Sequence, residues 1–169
     1  MNTQDEALLI SNPRLITAVY FGLLAIIATY LIQSIFYLLG IVQLIPTFKA
    51  IVLAVVVAAA FGALFGERII HSPEPYGKHV FFWAFLMVLV ALPVYNIGLV
   101  YMFSTHQPTL FTNATLADLI YLYFVILLYN FIFFGIWLGV LAGFAALYLR
   151  SYVVYYLSQG LSDRPKFRE

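Results

Sequence analysis

The sequence predicts an all-α, polytopic integral membrane protein: a bundle of four transmembrane helices with both termini on the cytoplasmic side (N-in/C-in). Three observations carry this reading. Hydrophobic residues make up 64% of the 169 residues and charged ones 9%, with a mean hydropathy of +1.01, well outside the composition of a water-soluble domain. Four apolar runs reach or approach the roughly 20 residues that a helix needs to cross a hydrocarbon core about 30 Å thick. Finally, Arg14, Arg68, Lys78, Arg150, Arg164, Lys166 and Arg168 fall on the side of both termini and the second loop, and Lys49 alone falls opposite. The excess of positive charge marks the cytoplasmic side.

The first helix is expected over about 15–41. It follows Asn12, an N-cap candidate, and Pro13, placed where a missing N–H costs nothing. The second spans about 48–66 after the breaker Pro46, and the third about 79–103, where Pro93 should bend the helix and release a carbonyl. A fourth is expected over 118–150, introduced by Thr115-Leu-Ala-Asp118, a capping-box pattern. Tyr152, Tyr155 and Tyr156 share one helical face, which predicts an interfacial extension over 151–160, and 161–169 reads as a disordered basic tail. Asp5 and Glu6 precede Arg14 and the first apolar run is long, a pattern unlike a cleaved signal peptide. The whole chain, 1–169, reads as one multi-pass domain, expected in the bacterial inner membrane.

Composition also narrows the chemistry. The absence of cysteine removes disulfides, thiolate metal sites and thiol nucleophiles, and a net charge of +1 does not supply the basic face that nucleic acid requires. No cofactor or metal is expected. His71, Glu74 and His79 lack a ligand spacing and are separated by prolines, and none of the three histidines lies mid-helix, where an axial haem ligand would stand. Ser104, His106 and Asp118 suggest a hydrolase only superficially, since no nucleophile elbow or glycine-rich oxyanion turn surrounds Ser104. The chain is not expected to be an enzyme.

Three groups of residues remain as candidate sites. Small residues recur at every fourth position: Ala50, Ala54, Ala58, Gly62 and Gly66 in the second helix, and Gly135, Gly139 and Gly143 in the fourth. Such ridges let backbones approach closely inside a bilayer, within the chain or toward another one. Successive members drift by about 40° around a 3.6-residue helix, so only about three of the five in the second helix can face one neighbour. The second group is polar: Gln33, with Ser34, in the first helix, Asn96 in the third and Asn130 in the fourth, with no ionisable side chain near the membrane centre. Amides there are expected to bond across helices, because hydrocarbon offers them nothing else. The third lies between Glu67 and His79, where Arg68, His71, Lys78 and His79 are candidates for holding a lipid headgroup and Glu67 is expected to pair with its neighbour Arg68. Together these features predict a non-catalytic membrane subunit, partnered by the lipid bilayer and by itself or a larger membrane complex through its small-residue faces. The alternative is a small oligomeric transporter, channel or lipid-handling protein.

Overall fold

The computed structural model of the chain describes residues 12–40, 46–72, 76–106, 108 and 115–153. These residues form helices α1 (Pro13–Leu38), α2 (Thr47–Ile70), α3 (Tyr76–His106), α4 (Leu116–Asn130) and α5 (Ile136–Tyr148), with π-helical turns at Phe131–Gly135 and Leu149–Val153. The first π turn joins α4 to α5 without a break, so Leu116–Tyr152 is one long rod. This rod and the helices Pro13–Leu38, Thr47–Ile70 and Gly77–His106 are the four that are long and apolar enough to cross a membrane, and no strand occurs among the described residues. Of the expected interfacial extension over 151–160, residues 151–153 continue the last π turn, while 154–160 and the expected basic tail over 161–169 lie outside the described residues.

The helix ends differ from the sequence expectation for local reasons. Helix α1 begins as expected, with Asn12 Oδ1 accepting from the Leu15 amide and Pro13 in the first turn, but it stops at Leu38, three residues before 41. There the chain turns at Gly40, whose φ of +70° suits a residue without Cβ. Helix α2 continues one turn past Gly66 because Ile69 and Ile70 are wholly buried, and this makes Glu67 and Arg68 helical rather than loop residues. Helix α3 starts earlier and ends later than 79–103. It keeps Pro93 in its interior, and its last turn carries Ser104 and Thr105, whose hydroxyls donate back to carbonyls of the turn before. At the start of α4, Thr115 and Asp118 cap each other reciprocally.

Helices α1 and α2 form the closest pair, α3 packs on both α2 and the long rod, and α1 reaches the rod through side chains. Tyr20 Oη donates to the Ala145 carbonyl at 3.0 Å, and the Phe36 and Phe134 rings meet edge to face. Phe21, Ile69, Val80, Ala84, Met87 and Ala146 make the buried core. That core is thin: even in the most buried of the four long helices only 28% of the apolar stretch is enclosed, so large side chains such as Leu23, Phe133, Trp137 and Phe144 cover the outside. An apolar exterior of this extent is the opposite of a water-soluble surface and matches hydrocarbon.

The α1–α2 contact depends on two missing side chains. A Cβ on Gly62 would stand 2.9 Å from the Thr17 carbonyl oxygen and 3.2 Å from Ala18 Cα, and one on Gly66 would meet the Thr17 hydroxyl, Arg14 Cα and the Pro13 carbonyl. Thr17 is fully buried, and its single hydroxyl proton is shared among the Pro13 and Arg14 carbonyls of its own helix, at 2.8 and 3.1 Å, and the Gly62 carbonyl of α2, at 2.8 Å. Gly98 differs, since its added Cβ would meet only the movable end of Leu53. We therefore expect Gly62→Ala to lower unfolding stability in detergent by about 1–3 kcal/mol, the usual range for overpacking, and Gly98→Ala to cost clearly less. Equal losses in thermal unfolding would contradict a backbone-limited seam.

Candidate functional site

The glycines of the fourth span all face α3. A Cβ on Gly135 would lie 2.9 Å from Leu92 Cδ1, one on Gly139 would lie 2.7 Å from Phe85 Cδ2, and one on Gly143 would run into the Phe81 ring. Phe81 and Phe85 stack nearly parallel, at 12°, so two rings and a leucine fill a groove three glycines long. In the second helix Gly62 and Gly66 receive α1, Ala58 packs against the core, Ala54 is half-buried and Ala50 is buried. Both glycine seams thus close inside the chain, and the surface left for any other chain is the large apolar exterior.

The three helix-borne amides divide. Asn130 Nδ2 donates to Asn96 Oδ1, joining α4 to α3, while the Nδ2 of the fully buried Asn96 has no acceptor. Gln33 does not join them: its Oε1 is also buried without a partner, and Ser34 donates to Tyr30 of its own helix. Close by, Tyr123 Oη donates to the Pro93 carbonyl at 3.4 Å. The π turn explains how one rod serves both α3 contacts. Five residues along an α-helix turn through about 500°, which would set Asn130 and Gly135 some 140° apart. The widened turn at Phe131–Gly135, with i to i+5 closure, brings them back onto one face toward Asn96 and Leu92.

The charged end is built differently from the sequence expectation. Glu67 pairs not with Arg68 but with Arg14 across the α1–α2 seam, Nε to Oε1 at 3.0 Å, because adjacent helical residues point about 100° apart while Gly62 and Gly66 draw α1 close. Both partners are more than half exposed, so the pair contributes less than about 1 kcal/mol. Arg68 lays its guanidinium over the Trp83 ring, 4.5 Å from the centroid. His71 ends α2, its amide donating to the Glu67 carbonyl and its Nε2 buried without a partner. Lys78 and His79 are exposed in the first turns of α3. Glu74, the third residue considered beside His71 and His79 as a metal ligand, lies outside the described residues.

Sequence reasoning passed over two residues that hold this end together. Arg150 reads as a topology charge, yet it is 8% exposed and donates to the Ser72 carbonyl at 2.7 Å and to the Ile69 carbonyl at 3.5 Å. It thereby caps the orphan carbonyls at the C-terminus of α2 from the far rod, a favourable place for a cation. Trp83 looks like ordinary aromatic fill, and only its register with Arg68 distinguishes it. In other comparisons, no family model, curated protein or solved structure matches this chain.

Two measurements follow. A double-mutant cycle of Asn96→Ala and Asn130→Ala should return a coupling of about 0.6–1.7 kcal/mol in mixed-micelle unfolding, the range for interhelical bonds in a bilayer protein. Arg150→Ala should cost about 1.5–3 kcal/mol in the same assay, as for a lost charged hydrogen bond, with Arg150→Lys recovering part of it. A neutral Arg150→Ala would mean that the carbonyl cap carries no stability.

Proposed function

We propose that this chain is a multi-pass membrane protein with both termini in the cytoplasm, acting as a non-catalytic subunit that assembles with itself or with a larger membrane complex. The observation that supports it is the filled interior. Phe81, Phe85 and Leu92 occupy the glycine groove of the long rod, and Gly62 and Gly66 are closed by α1, so the chain's remaining binding capacity lies on its outer surface. In a bilayer that surface recognises other helices by shape and hydrogen bonding rather than by hydrophobicity, because lipid tails are equally apolar. The charge asymmetry supports the orientation: Arg14, Arg68, Lys78 and Arg150 share the end where α1 begins and α2 stops, and Lys49 stands at the other.

A second reading, a conduit or lipid-handling path formed only in an oligomer, is favoured by one observation. Asn96 Nδ2 and Gln33 Oε1 are buried without partners, which is costly in hydrocarbon and would be relieved by a polar ligand or water. Flux or lipid transfer by the purified chain in liposomes would favour this reading over the first.

Because the chain has no cysteine, single Lys78→Cys and His106→Cys variants, both at exposed positions, report sidedness directly. We expect impermeant maleimide to label position 106 from outside intact cells and position 78 only after permeabilisation; labelling of both from one side would overturn the topology. Extraction from the native membrane in mild detergent should yield a particle heavier than the 19.1 kDa chain with its detergent belt. A monodisperse monomer in native nanodiscs would overturn the subunit reading.

A further inference from the structure

We infer that Arg68 and Trp83 form a seat for the phosphodiester of an anionic phospholipid, at the groove where the last turn of α2 meets the start of α3. The guanidinium lies over the indole ring, 4.5 Å from its centroid, so one face is covered by an aromatic surface while the N–H fork around its edge stays available. Arg68 is exposed, and among the described residues it makes no ion pair. The nearest acid in sequence, Glu67, is held by Arg14 across the helix seam and so is drawn away from Arg68. What remains is a planar, pre-positioned donor array with no acceptor among the described residues, whose geometry matches two phosphate oxygens.

The surroundings identify the source of that phosphate as a lipid. Phe65 packs beside Trp83 on the α2 side, and Phe82, 57% exposed, meets it edge to face. An apolar floor therefore continues from under the guanidinium toward the hydrocarbon, where glycerol and acyl chains would lie, and a soluble anion would leave it unused. Tryptophan beside a cation is also the usual composition at headgroup depth. Lys78, exposed in the first turn of α3, adds a second positive charge beside Arg68 at this end, and exposed His79 stands one helical turn before Trp83. His71, also a candidate from the sequence, has its Nε2 buried and is left out of the seat. The inference rests on bilayer insertion but not on which side is cytoplasmic.

The chain has two tryptophans, and the other, Trp137, is 70% exposed on the long rod, which makes a matched experiment available. In nanodiscs of phosphatidylcholine doped at equal fraction with either brominated phosphatidylglycerol or brominated phosphatidylcholine, a Trp137→Phe variant reports quenching at Trp83. A Trp83→Phe variant reports Trp137 and serves as the insertion control. We expect Trp83 to favour the anionic lipid by about fivefold in apparent affinity, the factor one basic side chain supplies at such a surface. Arg68→Gln should abolish the preference and Arg68→Lys should keep part of it, with Trp137 quenched equally by both lipids throughout. Equal quenching of Trp83 by both lipids, while Trp137 is quenched, would overturn the seat and leave bilayer insertion standing; an unquenched Trp137 would overturn insertion and the seat with it. Loss of the preference on adding soluble glycerophosphate would assign the groove to a free anion and overturn the lipid. Should Arg68→Gln fail to fold, the salt dependence of the Trp83 preference in the otherwise wild-type chain decides, since a charge-based preference must weaken as ionic strength rises.

Discussion

The structure depends on how closely α1 can approach α2. In hydrocarbon, the medium that four helices of this length and apolarity suit, bringing two apolar helices together yields no hydrophobic gain, and association there rests on dispersion and on hydrogen bonds that only short distances allow. Gly62 and Gly66 supply the distance by having no side chain, and Thr17 uses it by presenting its hydroxyl to the Gly62 carbonyl. The Arg14–Glu67 pair follows from the same approach, because it joins the two helices beside that contact. Commitment of Glu67 to Arg14 in turn leaves the next residue, Arg68, to the aromatic face of Trp83. A backbone contact thus brings Arg14 and Glu67 together at that end, while the neighbouring Arg68 lies over the Trp83 ring.

Glycine has a different task in the long rod. At Gly135, Gly139 and Gly143 the space is given to large side chains of α3, so the contact is ring against groove instead of backbone against backbone. The first arrangement tolerates almost no added volume, since main-chain atoms cannot step aside; the second has movable neighbours but many of them. The four spans therefore combine a tight pair with a thicker, side-chain-filled layer. Arg150 closes that layer against the C-terminus of α2 with hydrogen bonds to Ile69 and Ser72.

Much of the helical architecture was legible in the sequence, because length and apolarity of a run are local properties and hydrocarbon admits few alternatives to a helix. The ends were less legible. Glu67 and Arg68 resemble loop residues by composition, yet the helix continues through them because Ile69 and Ile70 find a buried place, which is a fact about neighbours. Spacing of small residues indicated where something could come close but not what, since Phe81 and Phe85 carry no mark that separates them from the other fourteen phenylalanines. Arg150 was read as one charge among seven because burial of an arginine at a helix end depends on which carbonyls face it across the bundle. The Asn96–Asn130 bond was legible as residue types, and the π turn that aligns it with the glycines was not, having no composition of its own.

That turn has a mechanical consequence. An extra residue absorbed into a helix, instead of being expelled into a loop, is a phase shift that the rod carries along its length: the sector before it keeps one azimuth and the sector after it another. Displacing the defect by a single turn toward either end would hand one rung from one sector to the other, re-aiming those side chains while the rod kept its length and its span. The fourth span thus holds two angular registers, with the changeover set between its amide rung and its first glycine.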